Sequence, residues 1–239
     1  MCENNELASN PENAVDDWLR FGKIQPNMDQ KTEGFGMRKG ENFNHPRKGD
    51  SVKVEPIKGL ADIAKIKKLL ADKPRELALF LLGINTNLRA SDMVALTAGQ
   101  MRPAAMGEFE LEIIEKKKRN QATHKRRRIT INKTVATAVT RLLASRDYRD
   151  EDMLFQGQRG PITAVTVNRM VKGWCAAIGL RGNFGSHTLR KTWGYHQRTT
   201  FGVDIPTLMV CFNHATQRQT LDYLCIQPEE IRSVYSNEL

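Results

Sequence analysis

Long apolar runs are missing. No stretch of the 239 residues approaches the roughly 20 consecutive apolar positions that a membrane-spanning helix needs. The first ten residues, MCENNELASN, are polar where a secretory signal has its apolar centre, so the expectation is a cytoplasmic protein of a prokaryotic cell or a phage-infected host. Cysteine is scarce and unpatterned. Cys2, Cys175, Cys211 and Cys225 make no CxxC pair and no regular spacing, which argues against a disulfide framework or a thiolate metal site and fits reduced thiols. There is no GxxxxGK[ST] loop, so the phosphate cradle of nucleotide hydrolases is not expected. No internal repeat or low-complexity run is present.

Acidic residues are also in short supply. Against 27 Asp and Glu stand 37 Lys and Arg, for a net charge of +10. An excess of this size points to a polyanionic partner, nucleic acid before an anionic membrane surface. The charge is uneven, because residues 1–50 hold seven basic and nine acidic side chains and are themselves slightly acidic. All of the basic excess therefore belongs to the remainder of the chain.

Residues 1–55 read as an extension. MDQKTEGFGMRKGENFNHPRKGDS is polar, without periodicity, and reads as a tail or linker. VDDWLRFGK (15–23) has the spacing of a short amphipathic helix, with Val15, Trp18, Leu19 and Phe21 toward one side. From position 59 the helical period takes over. LADIAKIKKLLAD spaces Leu60, Ile63, Ile66, Leu69 and Leu70 at threes and fours. RELALFLLGINTNL, after Pro74, is apolar almost all round, as in a helix at the centre of a domain. ASDMVAL follows, with Ser91 as its expected N-cap. FELEII alternates at Phe109, Leu111 and Ile113, and RRITIN at Ile129 and Ile131, so these two stretches read as paired strands. The loop between them, EKKKRNQATHKRR, is strongly basic.

Helical patterns resume at 133–146 and again in TAVTVNRMVKGWCAAIGL, where Thr163 is placed to cap and Gly179 to stop the helix. The SHTLRKTWGYHQRTT and VDIPTLMVCFNH segments are also read as helices. A tail from 227 to 239 opens on QPEE, which suits a first helical turn. The expected fold class is α+β, mainly helical, with one small antiparallel β-hairpin. Residues 56–226 are expected to form its main domain.

Taken singly, the polar residues of this domain have ordinary explanations. Arg89 can be solvated or can close a helix end. His187 and Arg190, three apart on one helix face behind an expected Ser186 cap, can be a surface patch or a phosphate grip. His214 sits at a helix end. Tyr223 lies between Leu221 and Leu224, where a tyrosine usually packs with its hydroxyl at the rim.

Their order carries more than any one of them. NLRASDMVAL, a basic hairpin, HTLRKT, FNHATQRQTLDYL and the nine-residue step from His214 to Tyr223 together resemble the catalytic domain of the tyrosine recombinase, or phage integrase, family over about residues 58–226. The resemblance implies site-specific strand exchange on double-stranded DNA through a covalent 3′-phosphotyrosine. Tyr223 would be the nucleophile. Arg89 and Arg190 would hold the phosphate oxygens, because guanidinium binds phosphate in two-pronged fashion and stays charged. His214 would add a donor, and His187 would handle the nucleophile's proton. Asp92 would support the site without reacting.

A hairpin lysine would protonate the leaving oxygen. Where the family often has Lys-Thr-Gly, this chain reads Lys118-Arg119-Asn120, which favours Lys118 and leaves Lys117 and Lys116 as alternatives. Lys116, Lys117, Arg119, Lys125, Arg126, Arg127 and Arg128 would contact the DNA backbone. No cofactor and no metal are implied, since the cations would do the work of magnesium.

The resemblance further implies a homotetramer on paired sites, with the C-terminal tail packing on a neighbour. Family members carry a helical core-binding domain ahead of the catalytic one. The acidic, weakly periodic residues before position 56 do not match it. A minimal recombinase, an accessory protein supplying the clamp, and a shortened chain all fit. Two other functions share features of the pattern: a type IB topoisomerase-like relaxing enzyme, and a DNA-binding regulator that keeps the fold.

Overall fold

A computed structural model describes residues 53–107, 110–114 and 126–224, together with 226, 232 and 234–237. The amphipathic segment at 15–23, the loop lysines 116–118, Arg119, Lys125 and Phe109 lie outside the described residues.

The domain is organised around the most apolar helix. Helix α1 covers Leu60–Leu69 and α2 covers Pro74–Thr86. Pro74 opens α2, where a missing N–H costs nothing. Residues Ala78 through Gly83 are all buried, as a helix flanked on several sides requires. Its main neighbours are α5 (Lys133–Leu143) and α7 (Ser186–Thr199). Thr86 and Asn85 fold their side chains back to donate to the carbonyls of Leu82 and Leu81, four residues earlier. Asn87 then ends the helix in the left-handed region, at φ 50°.

Short helices α3 (Ala90–Met93) and α4 (Ala98–Ala105) follow, and α4 packs on α5. Thr97 and Gln100 form a reciprocal capping box at the start of α4. The N-cap of α3 is Arg89, not Ser91, which lies inside the helix; no side chain caps this end. Along α1, Ile63, Ile66 and Leu70 are buried, whereas Leu60 and Leu69 are exposed. Among the described elements only α6 (Ala164–Ala177) packs on this helix substantially, and its apolar stripe is wider than the face it buries there.

Strands β1 (Glu110–Ile113) and β2 (Arg127–Thr130) pair antiparallel, with Leu111 opposite Ile129 and Glu112 opposite Arg128. Alternation sends Leu111, Ile113 and Ile129 inward. On the outer face Arg128 and Arg126 hydrogen-bond Glu112, and these bonds hold its carboxyl below the usual carboxylate range. A second, two-residue hairpin, β3 (Gln156–Gly157) and β4 (Gly160–Pro161), leads into α6. Thr163 caps α6 through the N–H of Thr166, and Gly179, at φ 73°, lies just past its end. Helices α8 (Ile205–Phe212) and α9 (Gln217–Leu224) complete the order and seat on α7. Of the tail, Arg232, Val234 and Tyr235 are helical.

One core takes in α1 through α7, and Leu208, Phe212 and Leu224 form a smaller cluster beside it. The chain entering the domain is tied to α7. Ile57 is buried, its N–H donates to Thr192 Oγ1 at 2.8 Å, and its carbonyl lies 2.9 Å from His196 Nε2. Cys175 and Cys211 are unpaired thiols, and burial pushes the Cys175 thiol up to about 12. Among the described residues no helix is long and apolar enough to cross a membrane.

Helix α2 meets α7 tightly at Gly83. A Cβ there would stand 2.6 Å from Leu189 Cδ1 and 2.9 Å from its Cβ, on the segment of α7 between His187 and Arg190. Overpacking of this kind costs about 1–3 kcal/mol, against roughly 1 kcal/mol returned by alanine's better helix propensity. Gly83→Ala is therefore expected to lower the urea midpoint of unfolding while leaving the m-value unchanged; an unchanged or raised midpoint would show that α7 yields at this point.

Candidate active site

The site starts where α7 starts. The expected Ser186 cap is not the one used. Gly185 occupies the N-cap, and Ser186 is the first helical residue. Two side chains, one from α7 itself and one from α6, take the N–H groups at this end. Thr188 Oγ1 accepts from Gly185 at 3.0 Å, and Asn168 Oδ1 of α6 accepts from Ser186 at 3.0 Å. A cap from a neighbouring helix is invisible to local sequence, which is why the serine looked sufficient.

His187 and Arg190 project from this first part of α7 into different surroundings. His187 is exposed, while Arg190 is 1% exposed. A buried guanidinium needs acceptors, and Arg190 has them at two helix ends. Its Nη1 donates to the Asn87 carbonyl that ends α2, and its Nη2 donates to the Phe212 carbonyl that ends α8, at 2.8 Å. Its guanidinium carbon lies 5.0 Å from the Phe212 ring centre and 5.6 Å from that of Tyr223.

Arg89 follows Asn87 by two residues. Its Nη1 is 3.9 Å from Asp92 Oδ2, and the Asp92 side chain is only 4% exposed, so the pair is largely sheltered. Asp92 therefore lies within ion-pair range of Arg89. At the other helix end Asn213, at φ 54°, turns the chain out of α8 and delivers His214. The His214 ring stacks on Phe212 with centres 5.0 Å apart and planes 7° from parallel. Its Nδ1 is 3.0 Å from Thr220 Oγ1.

Helix α9 carries Thr220 and, one turn later, Tyr223. Thr220 is fully buried and Tyr223 is partly exposed. The Tyr223 hydroxyl is 3.1 Å from His187 Nδ1, and its ring centre is 5.1 Å from that of His214. The imidazole tautomer sets the direction of this contact: with the proton on Nε2, the phenol donates to Nδ1, and with the proton on Nδ1, the imidazole donates to the phenol oxygen. Of the flanking leucines only Leu224 anchors the helix in the apolar cluster, and Leu221 is 38% exposed.

Four of the six expected site residues therefore converge: His187, Arg190, His214 and Tyr223. Arg89 lies two residues after Asn87, whose carbonyl Arg190 grips, and its ion-pair partner is Asp92. Lys118 lies outside the described residues. The three hairpin arginines that are described divide. Arg126 and Arg128 are exposed beside Glu112, whereas Arg127 is turned inward and donates to Asn87 Oδ1 and to the Cys211 carbonyl.

Sequence reasoning missed Asn87, Phe212, Thr220 and Lys191. Lys191 is 7% exposed with its Nζ 5.8 Å from the Tyr223 ring centre. An asparagine just past an apolar helix does signal a left-handed end, but nothing local says what its carbonyl and amide will hold. Among the described residues no group of three or more His, Cys, Asp or Glu is placed to hold a metal ion.

A model of the phage integrase family matches residues 54–230. The chain is 33% identical over 187 residues to the "probable integrase/recombinase YoeC" of Bacillus subtilis (strain 168), covering 76% of this chain and 95% of that protein. Among solved structures, XerA recombinase superposes with a TM-score of 0.61 at 17% identity, over 78% of this chain and 65% of that one. XerH site-specific recombinase, bound to a palindromic difH substrate in a post-cleavage complex, superposes with a TM-score of 0.60 at 16% identity, over 78% of this chain and 54% of its own. The chain thus spans somewhat less than two thirds of these two recombinases, and its helical domain with a small antiparallel hairpin has the fold of their catalytic domains. The chain belongs to the phage integrase family.

Proposed function

We propose that this protein is a site-specific DNA recombinase that breaks and rejoins DNA through a 3′-phosphotyrosine at Tyr223. The observation that carries the reading is the phenol–imidazole contact, Tyr223 Oη to His187 Nδ1 at 3.1 Å, beside the buried Arg190 guanidinium. A free phenol has a pKa of about 10 and attacks poorly without a base. His187 accepts its proton as Oη forms a bond to phosphorus. The bond from phosphorus to the 5′-oxygen breaks, and Lys118 gives that oxygen a proton. Negative charge growing on the non-bridging oxygens is met by Arg89, Arg190 and His214. The reverse attack by a 5′-hydroxyl reseals the strand and frees the tyrosine, so no nucleotide is consumed.

The DNA partner fits the charge. Lys116, Lys117, Arg119, Lys125, Arg126 and Arg128 give the hairpin a backbone-binding character whose affinity falls with salt. Pairing of recombination sites would use a tetramer. Clamping of the DNA would come from residues ahead of the domain or from an accessory protein.

A nicked suicide substrate tests the nucleophile. Wild-type protein is expected to form a covalent adduct, Tyr223→Phe none, and Tyr195→Phe and Tyr235→Phe the normal amount. An adduct that survives in Tyr223→Phe and disappears in one of the others assigns the nucleophile there. No adduct on any site-bearing DNA favours a DNA-binding regulator, and relaxation of supercoils without junctions favours a topoisomerase-like enzyme.

His187→Ala removes the base, and a fall of about 10²–10⁴-fold in single-turnover cleavage is expected, with binding retained in a gel-shift assay. A fall in binding of the same size would make His187 a DNA contact instead.

Lys118→Ala is expected to slow cleavage of the ordinary substrate and to recover on one whose leaving 5′-oxygen is replaced by sulfur, which departs without a proton. Without recovery, the acid is Lys117 or Lys116.

A further inference from the structure

The last four carbonyls of an α-helix have no partner within it. In α8 they belong to Met209, Val210, Cys211 and Phe212. The chain answers two of them itself as it turns out through Asn213. The His214 N–H donates to the Met209 carbonyl at 3.2 Å, and the Asn213 N–H to that of Val210 at 2.9 Å. The other two are answered by side chains from distant stretches. Phe212 accepts from Arg190 of α7 at 2.8 Å. Cys211 accepts from the Asn87 side-chain amide at 2.9 Å and from Arg127 Nη2 of strand β2. Arg127 Nη2 also donates to the Asn87 side-chain oxygen, so the two side chains meet each other as well as the end of α8.

Asn87 does not need its side chain for the turn it makes. Its φ of 50° is one that glycine adopts at least as readily. Its backbone carbonyl accepts from Arg190, and any residue would supply that oxygen. What asparagine adds is the amide. Asn87 is 2% exposed, and both polar atoms of its amide are bonded. It thereby joins four elements: the corner between α2 and α3, strand β2 through Arg127, α7 through Arg190, and the end of α8 through Cys211. His214 follows Cys211 by three residues. An anchor on the Cys211 carbonyl is therefore an anchor on the short turn that carries the His214 ring.

We propose that Asn87 is a positioning residue for His214: its side-chain amide, by holding the Cys211 carbonyl, fixes the end of α8 so that the imidazole stands where charge grows on the phosphate. The inference rests on the recombinase reading above, in which His214 faces that phosphate. It places the effect of Asn87 on the rate of cleavage and not on the affinity for DNA.

Asn87→Gly tests it, because glycine keeps the turn and the backbone carbonyl and removes only the amide. The measurement is single-turnover cleavage of the nicked suicide substrate by the full-length chain, over a range of protein concentrations. The maximal rate is expected to fall roughly tenfold to a hundredfold, the scale of a small misplacement in a catalytic group. The concentration giving half that rate is expected to stay within about threefold of wild type. The same substitution is then made in a His214→Ala background, itself expected to be slowed about 10²–10³-fold by loss of a donor. There Asn87→Gly has no ring left to misplace, and a further slowing of less than about threefold is expected, since residues that act through one another are not additive.

A tenfold or greater defect that persists in the His214→Ala background overturns the proposal, because Asn87 would then serve Arg190 or the fold as a whole. So does a shift in the half-maximal concentration at an unchanged maximal rate, which would make Asn87 part of DNA binding. An unslowed His214→Ala variant overturns it too, since nothing would be left to position. If wild type forms the adduct and Asn87→Gly matches its rate, only the positioning role falls; if wild type forms no adduct, the recombinase reading falls first. Should melting show Asn87→Gly to be unfolded, Asn87→Asp, which keeps an acceptor for Arg127 and loses the donor to Cys211, is read in the same two backgrounds with the same outcomes deciding.

Discussion

A buried cation organises this domain. Arg190 carries a full charge into a site 1% exposed, and a guanidinium there persists only where oxygen atoms meet its N–H groups. Helix ends are a natural source, since their last carbonyls have no partner within the helix and carry the negative end of its dipole. Helices α2 and α8 both finish at Arg190, one presenting the Asn87 carbonyl and the other the Phe212 carbonyl. Both finish in the same way, with an asparagine in the left-handed region, Asn87 at φ 50° and Asn213 at φ 54°. The residues that follow those turns are the ones the site needs: Arg89 after the first, His214 after the second. The demand of one charge for acceptors thus brings three separate stretches of chain to one place.

Packing supports the electrostatics. Phe212 lies against the Arg190 guanidinium on one side, stacks on His214 on another and meets Trp193 edge-on. It fits because α7 has a glycine beneath it; a Cβ on Gly194 would stand 2.5 Å from the Phe212 ring. Thr220 holds His214 from α9, and the same helix brings Tyr223 to His187 one turn later. Strand β2 reaches the same pair of helix ends through Arg127. Tyr223, His187, Arg190 and His214 therefore sit on short, braced segments and not on long loops.

Much of this could be read in advance, and the failures have physical causes. The apolar stretch of α2, the alternation of β1 and β2, the Thr163 cap and the Gly179 stop are local signals, and local geometry obeys them. Ser91 and Ser186 looked like caps because serine so often is one. Arg89 takes the first position, and the second helix end is satisfied by Asn168 from another helix. Leu60, Leu69 and Leu221 fall on apolar stripes but remain exposed, because a stripe records what a helix can bury and its neighbours decide how much is covered. Arg127 was grouped with its basic neighbours since charge is visible in sequence and the face of a short strand, though alternating, acquires meaning only once the core is placed.

The sequence by itself determined the helical class, the hairpin, the basic bias and the ordered set Arg89, His187, Arg190, His214 and Tyr223, because periodicity and spacing are properties of neighbours along the chain. Tertiary structure alone decided that Arg190 is buried while His187 is exposed, that Tyr223 meets His187, and that Asn87 joins four elements. Those outcomes depend on which carbonyls and rings surround a charge, and the partners come from positions 22, 36 and 103 residues away. No local pattern encodes a contact at that separation; it arises when the buried cation and the helix ends that neutralise it are brought together.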